Sequence, residues 1–354
     1  MEEFFLSLIK LGVGNASVAQ VPEQIDWNAL EELAVQQGLS AVMVDGIEML
    51  PEVKRPPQPV LLQWIGETLQ GFEYRYELYR RAIAEIAGFY NSHGYKMMLL
   101  KGYACGLDWP KPEHRPFGDI DIWLFGQQKE ADYVLAKERG LKIDKSHHHH
   151  TVFDWCGFMV ENHYFFINVH QHKSHVALEK ILKKEAMDDS CFIELYGEKV
   201  YLPTPNFHAL FLLRHSMLHF AFGEFSLRNL LDWAFFVKAH IHEIDWNWLE
   251  TNIEKFGMTP LYRLFNAICI DDLGFDAGLF SSGEYDSALK ERVLREALHG
   301  NHNWEEPINI IRRQIFRYKR WKANGWKHKL CYKESMWSAF WSGVWSHLVK
   351  PNTI

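Results

Sequence analysis

Apolar residues at helical spacing fill both ends of the chain. Over Ile65–His93, apolar and aromatic residues recur three and four positions apart, which predicts one long helix that ends at Gly94. A proline-rich break at 54–59 separates this helix from an early helical pair. After Thr204, which is followed by a proline suited to the first turn of a helix, the pattern stays mostly helical. The sequence therefore predicts helical regions at 1–93 and 204–354.

Between these regions the apolar pattern changes to a period of two. Lys96–Leu100 is a short apolar run typical of a buried strand that leads into a turn. Asp119–Phe125 alternates strictly, as a half-buried strand does. Thr151–Trp155 and Phe158–Tyr164 flank a two-residue turn and predict a hairpin, which a helix and a second hairpin follow. An α/β core over 94–203 is predicted, and the whole chain is an α+β protein.

Composition and charge exclude few classes of protein function. The 354 residues are 47% hydrophobic and 23% charged, and the net charge of -7 argues neither for a general nucleic-acid binder nor against local basic patches. Five dispersed cysteines without a CxxC pair indicate reduced thiols. The acidic N-terminus does not resemble a signal peptide, and no apolar stretch is long enough to predict a transmembrane segment. We expect a cytoplasmic protein.

The pair Asp119 and Asp121 is the main candidate for chemistry. On a strand, residues two positions apart point to the same face, so the two carboxylates project side by side. Two such charges repel unless a cation or a shared proton lies between them, and a divalent ion with oxygen ligands is the natural partner. A solvated strand face is the alternative. The apolar residues Ile120, Ile122 and Leu124 favour a strand that is anchored in a core.

Glu161 is the candidate for a third carboxylate. Phosphoryl transfer with two metal ions, which lie about 3.5–4 Å apart, needs more than one pair of acids. Glu161 lies on the run Phe158–Tyr164, which can pair beside the Asp119–Asp121 strand, and His163 shares its face two positions later. The alternative is an isolated, exposed acid near a turn.

The stretch LLKGYACGLDWPKPEHRPFGDIDIWLF, followed by GFMVENHY, carries a family resemblance. It resembles a bacterial nucleotidyltransferase family with a Lys-Gly, Arg-x-x-Gly-Asp-Ile-Asp and Val-Glu-x-His pattern, over roughly residues 60–240. The resemblance implies a polymerase-beta-like nucleotidyltransferase core, a small mixed sheet with packed helices, flanked by helical regions. It implies Asp119 and Asp121 as metal ligands and Glu161 as the third acid.

The resemblance also implies substrates and a cofactor. A nucleoside triphosphate would donate its nucleotidyl group to an acceptor hydroxyl on a small molecule, protein or nucleic acid, and Mg²⁺ is the expected metal in a two-ion site. The candidates for binding the nucleotide and its phosphates are Lys101, Gly102, Arg115, Gly118 and His163. For Lys101 and Arg115, a surface or salt-bridge role is the alternative.

The phosphate-binding turn departs from the pattern of the wider superfamily. Active members usually have Gly-Ser or Gly-Gly, whereas this chain has Gly102-Tyr103. Gly102 still permits close backbone approach, but Tyr103 supplies no small hydroxyl at that place. The alternative function is therefore a catalytically inactive module on the same fold, which binds a nucleotide or a protein.

Two further segments are candidates for binding. His147–His150 is a run of four histidines; alternate histidines on a strand face opposite sides, so all four cannot bind one ion, and only His149 or His150 is a candidate near the acids. The segment 312–333 contains nine Lys or Arg residues among aromatic ones, which suits nucleic-acid or membrane contact. A basic amphipathic helix packed on the acidic remainder of the chain is the alternative.

Overall fold

The chain divides into two compact units. The computed structural model describes residues 1–147, 149–169, 172–281, 283–300, 309–339 and 341–342. One unit comprises Met1–Trp64 and Leu212–Trp337; the other comprises Ile65–Phe211 and the segment from Ser338. The domain boundaries expected near 93 and 203 stay a prediction.

Helices form the N-terminal part of the chain. They are α1 (Glu2–Gly12), α2 (Trp27–Gln37), α3 (Ser40–Glu48), α4 (Gln58–Thr68) and α5 (Arg75–Ser92). Three helices, not the predicted pair, precede the proline-rich break, because Gly38 ends α2 at φ 67° and α3 begins two residues later. The predicted single helix Ile65–His93 is also divided, since a π-helical turn, Leu69–Tyr74, separates α4 from α5.

The central part of the chain alternates strands with helices. Its elements are β1 (Met98–Leu99), α6 (Lys101–Gly106), β2 (Ile120–Trp123), α7 (Gln128–Arg139), β3 (His150–Trp155), β4 (Phe158–His163), α8 (Lys173–Ala186), β5 (Phe192–Leu195) and β6 (Glu198–Tyr201). Both predicted hairpins are present, and Gly140 ends α7 in the left-handed conformation at φ 65°.

The C-terminal part is helical, as predicted. Its helices are α9 (Pro205–Phe222), α10 (Leu227–His240), α11 (Trp246–Lys255), α12 (Thr259–Asp271), α13 (Ser287–His299), α14 (Ile310–Ala323) and α15 (Gly325–Cys331). None of the helices in the described part of the chain is both long and apolar enough to cross a membrane. A mixed sheet between helical regions confirms the α+β class.

The six strands form one mixed sheet in the order β3-β4-β2-β1-β6-β5. The pairs β2–β4 and β1–β6 are parallel, and the other pairs are antiparallel. Strand β2 therefore lies in the interior of the sheet, with β4 on one side and β1 on the other. This order places the end of β1 on one side of Asp121 and strand β4 on the other.

One face of the sheet packs on α5 and α7. Ile120 and Ile122 of β2 and Val160 of β4 join Ile83 of α5 and Leu135 of α7 in one buried apolar cluster. Each such side chain contributes about 1.5–3 kcal/mol to folding when fully buried. Because strand residues alternate between faces, this anchoring turns the neighbouring polar residues of β2 and β4 to the opposite face.

A tight turn fixes the register of the β3–β4 hairpin. Cys156 and Gly157 link the strands at φ 53° and 80°, the positive values that a two-residue type I′ turn requires at both positions. The turn pairs Trp155 with Phe158, and along the ladder it pairs His150 with His163.

Candidate active site

Strands β2 and β4 place two acids side by side. Their parallel register sets Asp121 opposite Glu161, and both side chains turn away from the core that α5 and α7 cover. Asp119 directly precedes β2. One carboxylate oxygen from each of Asp119, Asp121 and Glu161 lies within 4.8 Å of the other two. The structure thus brings together the three acids that the sequence analysis selected.

Two cationic side chains contact the central acid. Lys101 Nζ lies 2.8 Å from Asp121 Oδ1. His163 Nε2 donates to the same oxygen at 2.8 Å and lies 3.4 Å from Glu161 Oε2. Lys101 begins α6 directly after β1, which pairs with β2, whereas His163 lies two residues beyond Glu161 on β4. The cations therefore approach Asp121 from the strands on both sides.

These contacts favour the charged forms of Asp121 and Lys101 although both side chains are buried. Burial acts against a charge on Asp121, but Lys101 and His163 hold the pKa of its carboxyl far below its usual value. Burial likewise acts against the ammonium of Lys101, and the charges of Asp121 and Asp119 raise its pKa. For His163, hydrogen bonds to Asp121 and Glu161 outweigh burial and raise the pKa. These directions favour the charged forms of Asp121, Lys101 and His163.

Asp119 is the acid that the cluster neutralises least. Burial and the charge of Asp121 raise the pKa of Asp119, and Lys101 opposes them only in part. The pKa of Glu161 is lowered, because hydrogen bonding to His163 and the charge of Lys101 overcome burial and the repulsion of Asp121. Three carboxylates thus share two cations, so the cluster attracts a further positive charge.

The turn at Gly102 requires glycine. Its backbone has φ 38° and ψ -101°, and a Cβ there would lie 3.3 Å from the hydroxyl of Tyr79. That hydroxyl donates to the carbonyl of Asp119 at 2.7 Å, which ties α5 to the residue before β2. Tyr103 is buried, and its ring stacks on Tyr76 with centroids 6.0 Å apart. Tyr103 therefore belongs to the core of this unit.

Arg115 and Gly118 lie in the loop that leads into β2. Gly118 is exposed and directly precedes Asp119. Arg115 is buried, and its Nη1 donates to the carbonyl of Pro116 at 2.9 Å. Of the five predicted nucleotide-binding residues, Lys101 and His163 directly contact the acids, and Gly102 packs beside Asp119 through Tyr79.

His150 is a residue of the cluster that the sequence analysis named only as one of two candidates. Its Nδ1 lies 3.6 Å from Glu161 Oε2, and its ring centroid lies 5.3 Å from that of His163. Burial lowers the pKa of His150 to about 4. A two-residue turn at Cys156-Gly157 already implied this pairing, because it sets His150 opposite His163. His148 lies outside the described residues.

The fold and the site define a class of protein. A small mixed sheet with an acid pair at the start of one strand and a third acid on its parallel neighbour is consistent with a nucleotidyltransferase core. The chain belongs to the family described as "Uncharacterised nucleotidyltransferase", whose model matches residues 23–270, more than half of the chain. This match confirms the resemblance. No curated protein and no solved structure matches the sequence.

Proposed function

We propose that this protein is a metal-dependent nucleotidyltransferase, which moves a nucleotidyl group from a nucleoside triphosphate to an acceptor hydroxyl. Membership of the family supports the reaction class. The observation that carries the proposal is the convergence of Asp119, Asp121 and Glu161 within 4.8 Å, with more negative than positive charge. Phosphoryl transfer needs such a set of oxygen ligands to counter the charge of the phosphates.

The three carboxylates fit Mg²⁺. They are hard oxygen donors, which magnesium prefers, and the unneutralised charge at Asp119 favours a cation there. Asp119 and Asp121 would hold the first ion, and Glu161 would complete the second position. When bound, magnesium supplies charge neutralisation of the phosphate oxygens and lowers the pKa of the acceptor hydroxyl.

The protein's own residues would position the reactants. Lys101 lies against Asp121 and offers its ammonium to a phosphate oxygen, whereas Gly102 gives the turn after β1 its left-handed backbone conformation. His163 fixes the orientation of Asp121 and Glu161 through its Nε2. Because the pKa of Glu161 is lowered, this carboxylate is better suited to hold an ion than to take a proton from the acceptor.

Binding and transfer are tested on the full chain. Isothermal titration with each nucleoside triphosphate and Mg²⁺ measures binding, and transfer of a radiolabelled alpha-phosphate to cell extract measures catalysis. We expect Asp121→Asn to reduce transfer by about 10³-fold, the usual scale for losing an electrostatic group of the active site. Asp154→Asn is the matched control, because Asp154 is an exposed acid on β3 of the same sheet.

The outcomes separate the alternatives. Unchanged transfer in Asp121→Asn would overturn the assigned chemistry. Binding of nucleotide without any transfer would instead favour the inactive binding module, for which the buried position of Tyr103 is the supporting observation. In that case Tyr103→Ser, which restores a small hydroxyl after Gly102, is the informative variant.

We further propose that the segment 312–333 contacts a partner, which is either a nucleic acid or a membrane surface. Within α14, Lys319 and Lys322 are exposed, and the exposed ring of Tyr318 stacks on Trp321 with centroids 6.0 Å apart. Cations beside aromatic rings suit phosphate contact and base stacking. The double variant Lys319→Glu and Lys322→Glu should elute from heparin at lower salt than wild type. Equal elution would contradict the proposal, and vesicle sedimentation separates the two partners.

We also place the protein in the cytoplasm. All five cysteines are free, and three of them, Cys105, Cys269 and Cys331, are buried. Unpaired buried thiols persist most readily in a reducing compartment, which supports this location. Cell fractionation with the natural protein tests it, and recovery outside the cytoplasm would contradict it.

A further inference from the structure

We infer that His150, Glu161 and His163 form a second metal site, which takes a divalent first-row transition ion such as zinc. One ligand atom from each residue lies within 4.8 Å of the other two. The set combines facing positions of the β3–β4 ladder with the acid that also lies beside Asp121. It lies next to the all-carboxylate set and differs from it in its donor atoms.

The distances between the ligand atoms fit zinc. Zinc binds nitrogen and oxygen at about 2.0–2.2 Å, so two ligands at a tetrahedral angle lie about 3.4 Å apart. His163 Nε2 lies 3.4 Å from Glu161 Oε2, and His150 Nδ1 lies 3.6 Å from the same oxygen. Both separations are close to the tetrahedral value.

The Nδ1 atom of His150 supports the assignment of a ligand at this place. His150 is 5% exposed, and its Nδ1 has no hydrogen-bond partner among the residues that the structure describes. A buried polar atom without a partner loses its hydration without compensation, so native proteins seldom leave one unexplained. The carboxylate oxygen Oε2 of Glu161 lies 3.6 Å from this nitrogen, too far for a hydrogen bond but within reach of a shared ion.

The donor set selects the class of ion. Two imidazole nitrogens and one carboxylate oxygen suit zinc, iron or manganese, whereas Mg²⁺ prefers oxygen donors alone. Binding displaces a proton from His163 Nε2, together with the hydrogen bond that this proton makes with Asp121 Oδ1. The ion replaces the positive charge that leaves with the proton, so Asp121 keeps a cation nearby.

Glu161 belongs to both sets of ligands. An ion held by the histidines would engage the carboxylate that the proposed transferase needs for its second magnesium position. On the proposed function, zinc and magnesium therefore compete through Glu161. Binding of zinc itself does not depend on that function, because it needs neither nucleotide nor turnover.

Zinc titration of the metal-free, full-length protein tests the inference. The titration is followed by calorimetry without Mg²⁺ and without nucleotide. We expect His150→Asn to weaken zinc binding by about tenfold or more, since it removes one ligand but keeps a polar side chain. His215→Ala is the matched control, because His215 Nε2 lies 2.8 Å from His219 Nε2 in another histidine pair.

Each outcome decides the inference. Loss of zinc affinity in His150→Asn, with wild-type affinity in His215→Ala, supports it. No zinc binding by the wild type, equal affinity in His150→Asn, or a loss only in His215→Ala overturns it. Asp119→Asn separates this result from the transferase proposal, because it should retain zinc while it loses magnesium. Circular dichroism of each variant verifies folding.

Discussion

The two faces of strand β4 carry two polar clusters with different chemistry. On one face, Asp121, Glu161 and His163 meet Lys101, and every contact joins ionisable groups. On the other face, Asp132 of α7 accepts hydrogen bonds at 2.8 Å from Asn162 Nδ2 and Thr151 Oγ1, which are neutral donors. Alternate residues of the same strands supply both clusters.

The difference distinguishes a candidate site from a structural cluster. Around Asp132, neutral donors contact one acid, and the three side chains are almost fully buried. Around Asp121, several acids share fewer cations, and Asp119 and Glu161 remain partly exposed. A cluster with surplus charge and an exposed edge exchanges a side-chain partner for a ligand more readily than a sealed one does.

The largest expected effect on stability concerns Asp132, on the face of β4 that α7 covers. Asp132→Ala should lower the free energy of unfolding by about 3 kcal/mol, because it leaves the donors of Asn162 and Thr151 buried without their acceptor. Urea unfolding measures the loss. Binding of Mg²⁺ by the folded variant should be unchanged. If Asp132→Ala had wild-type stability but bound no magnesium, the assignment of Asp132 to a structural cluster and not to the metal site would be wrong.

A third buried acid, Glu179 of α8, sharpens the comparison through pH. Burial raises its pKa to about 6, although Lys183 and the amides of Phe166 and Ile167 oppose this. The unfolded carboxyl titrates near its ordinary value, so its contribution to stability is complete below about pH 4.3 and is lost as the pH rises through 6. The loss amounts to about 2 kcal/mol at pH 7.

Glu179→Gln removes this titration. The difference in unfolding free energy between variant and wild type should therefore shift by about 2 kcal/mol in favour of the variant between pH 4 and pH 7. Urea unfolding at the two pH values measures it, and an unchanged difference would contradict the raised pKa.

The smallest effect on stability is expected at Asp119, on the face of the sheet that carries the acidic cluster. Asp119→Asn should slightly raise the free energy of unfolding at pH 7, because it removes a carboxylate that burial and Asp121 disfavour. The gain should shrink as the pH falls below about 3.9, because the carboxyl then becomes protonated in both states. Measured destabilisation at pH 7 would show that Asp119 has a stabilising partner.

Local patterns predicted most of the sheet. Strict alternation from Asp119 gave strand β2 and the common face of its acids, and the turn signal at Cys156-Gly157 gave the hairpin that carries Glu161. These features depend on period and turn chemistry, which are short-range properties of a sequence. The family resemblance supplied the role of Glu161, and the parallel pairing with Asp121 follows from the sheet order.

Other features were beyond local patterns. The π-helical turn at Leu69–Tyr74 keeps the apolar spacing of a continuous helix, so periodicity alone did not separate α4 from α5. The contact between Lys101 and Asp121 joins the end of β1 to β2, and no pattern within either segment encodes it. The choice of His150 over His149 depends on the register of β3 on β4, which the two-residue turn sets but the run of histidines itself does not encode.

The turn at Cys156 and Gly157 determines which residues can do chemistry. A one-residue insertion or deletion there would slide β4 along β3 and exchange the faces, so that Asn162 would point outward and Glu161 towards the helices. Length changes in this hairpin should therefore be far more damaging than substitutions at its tip. A connection that contributes no ligand thus sets the identity of the third acid.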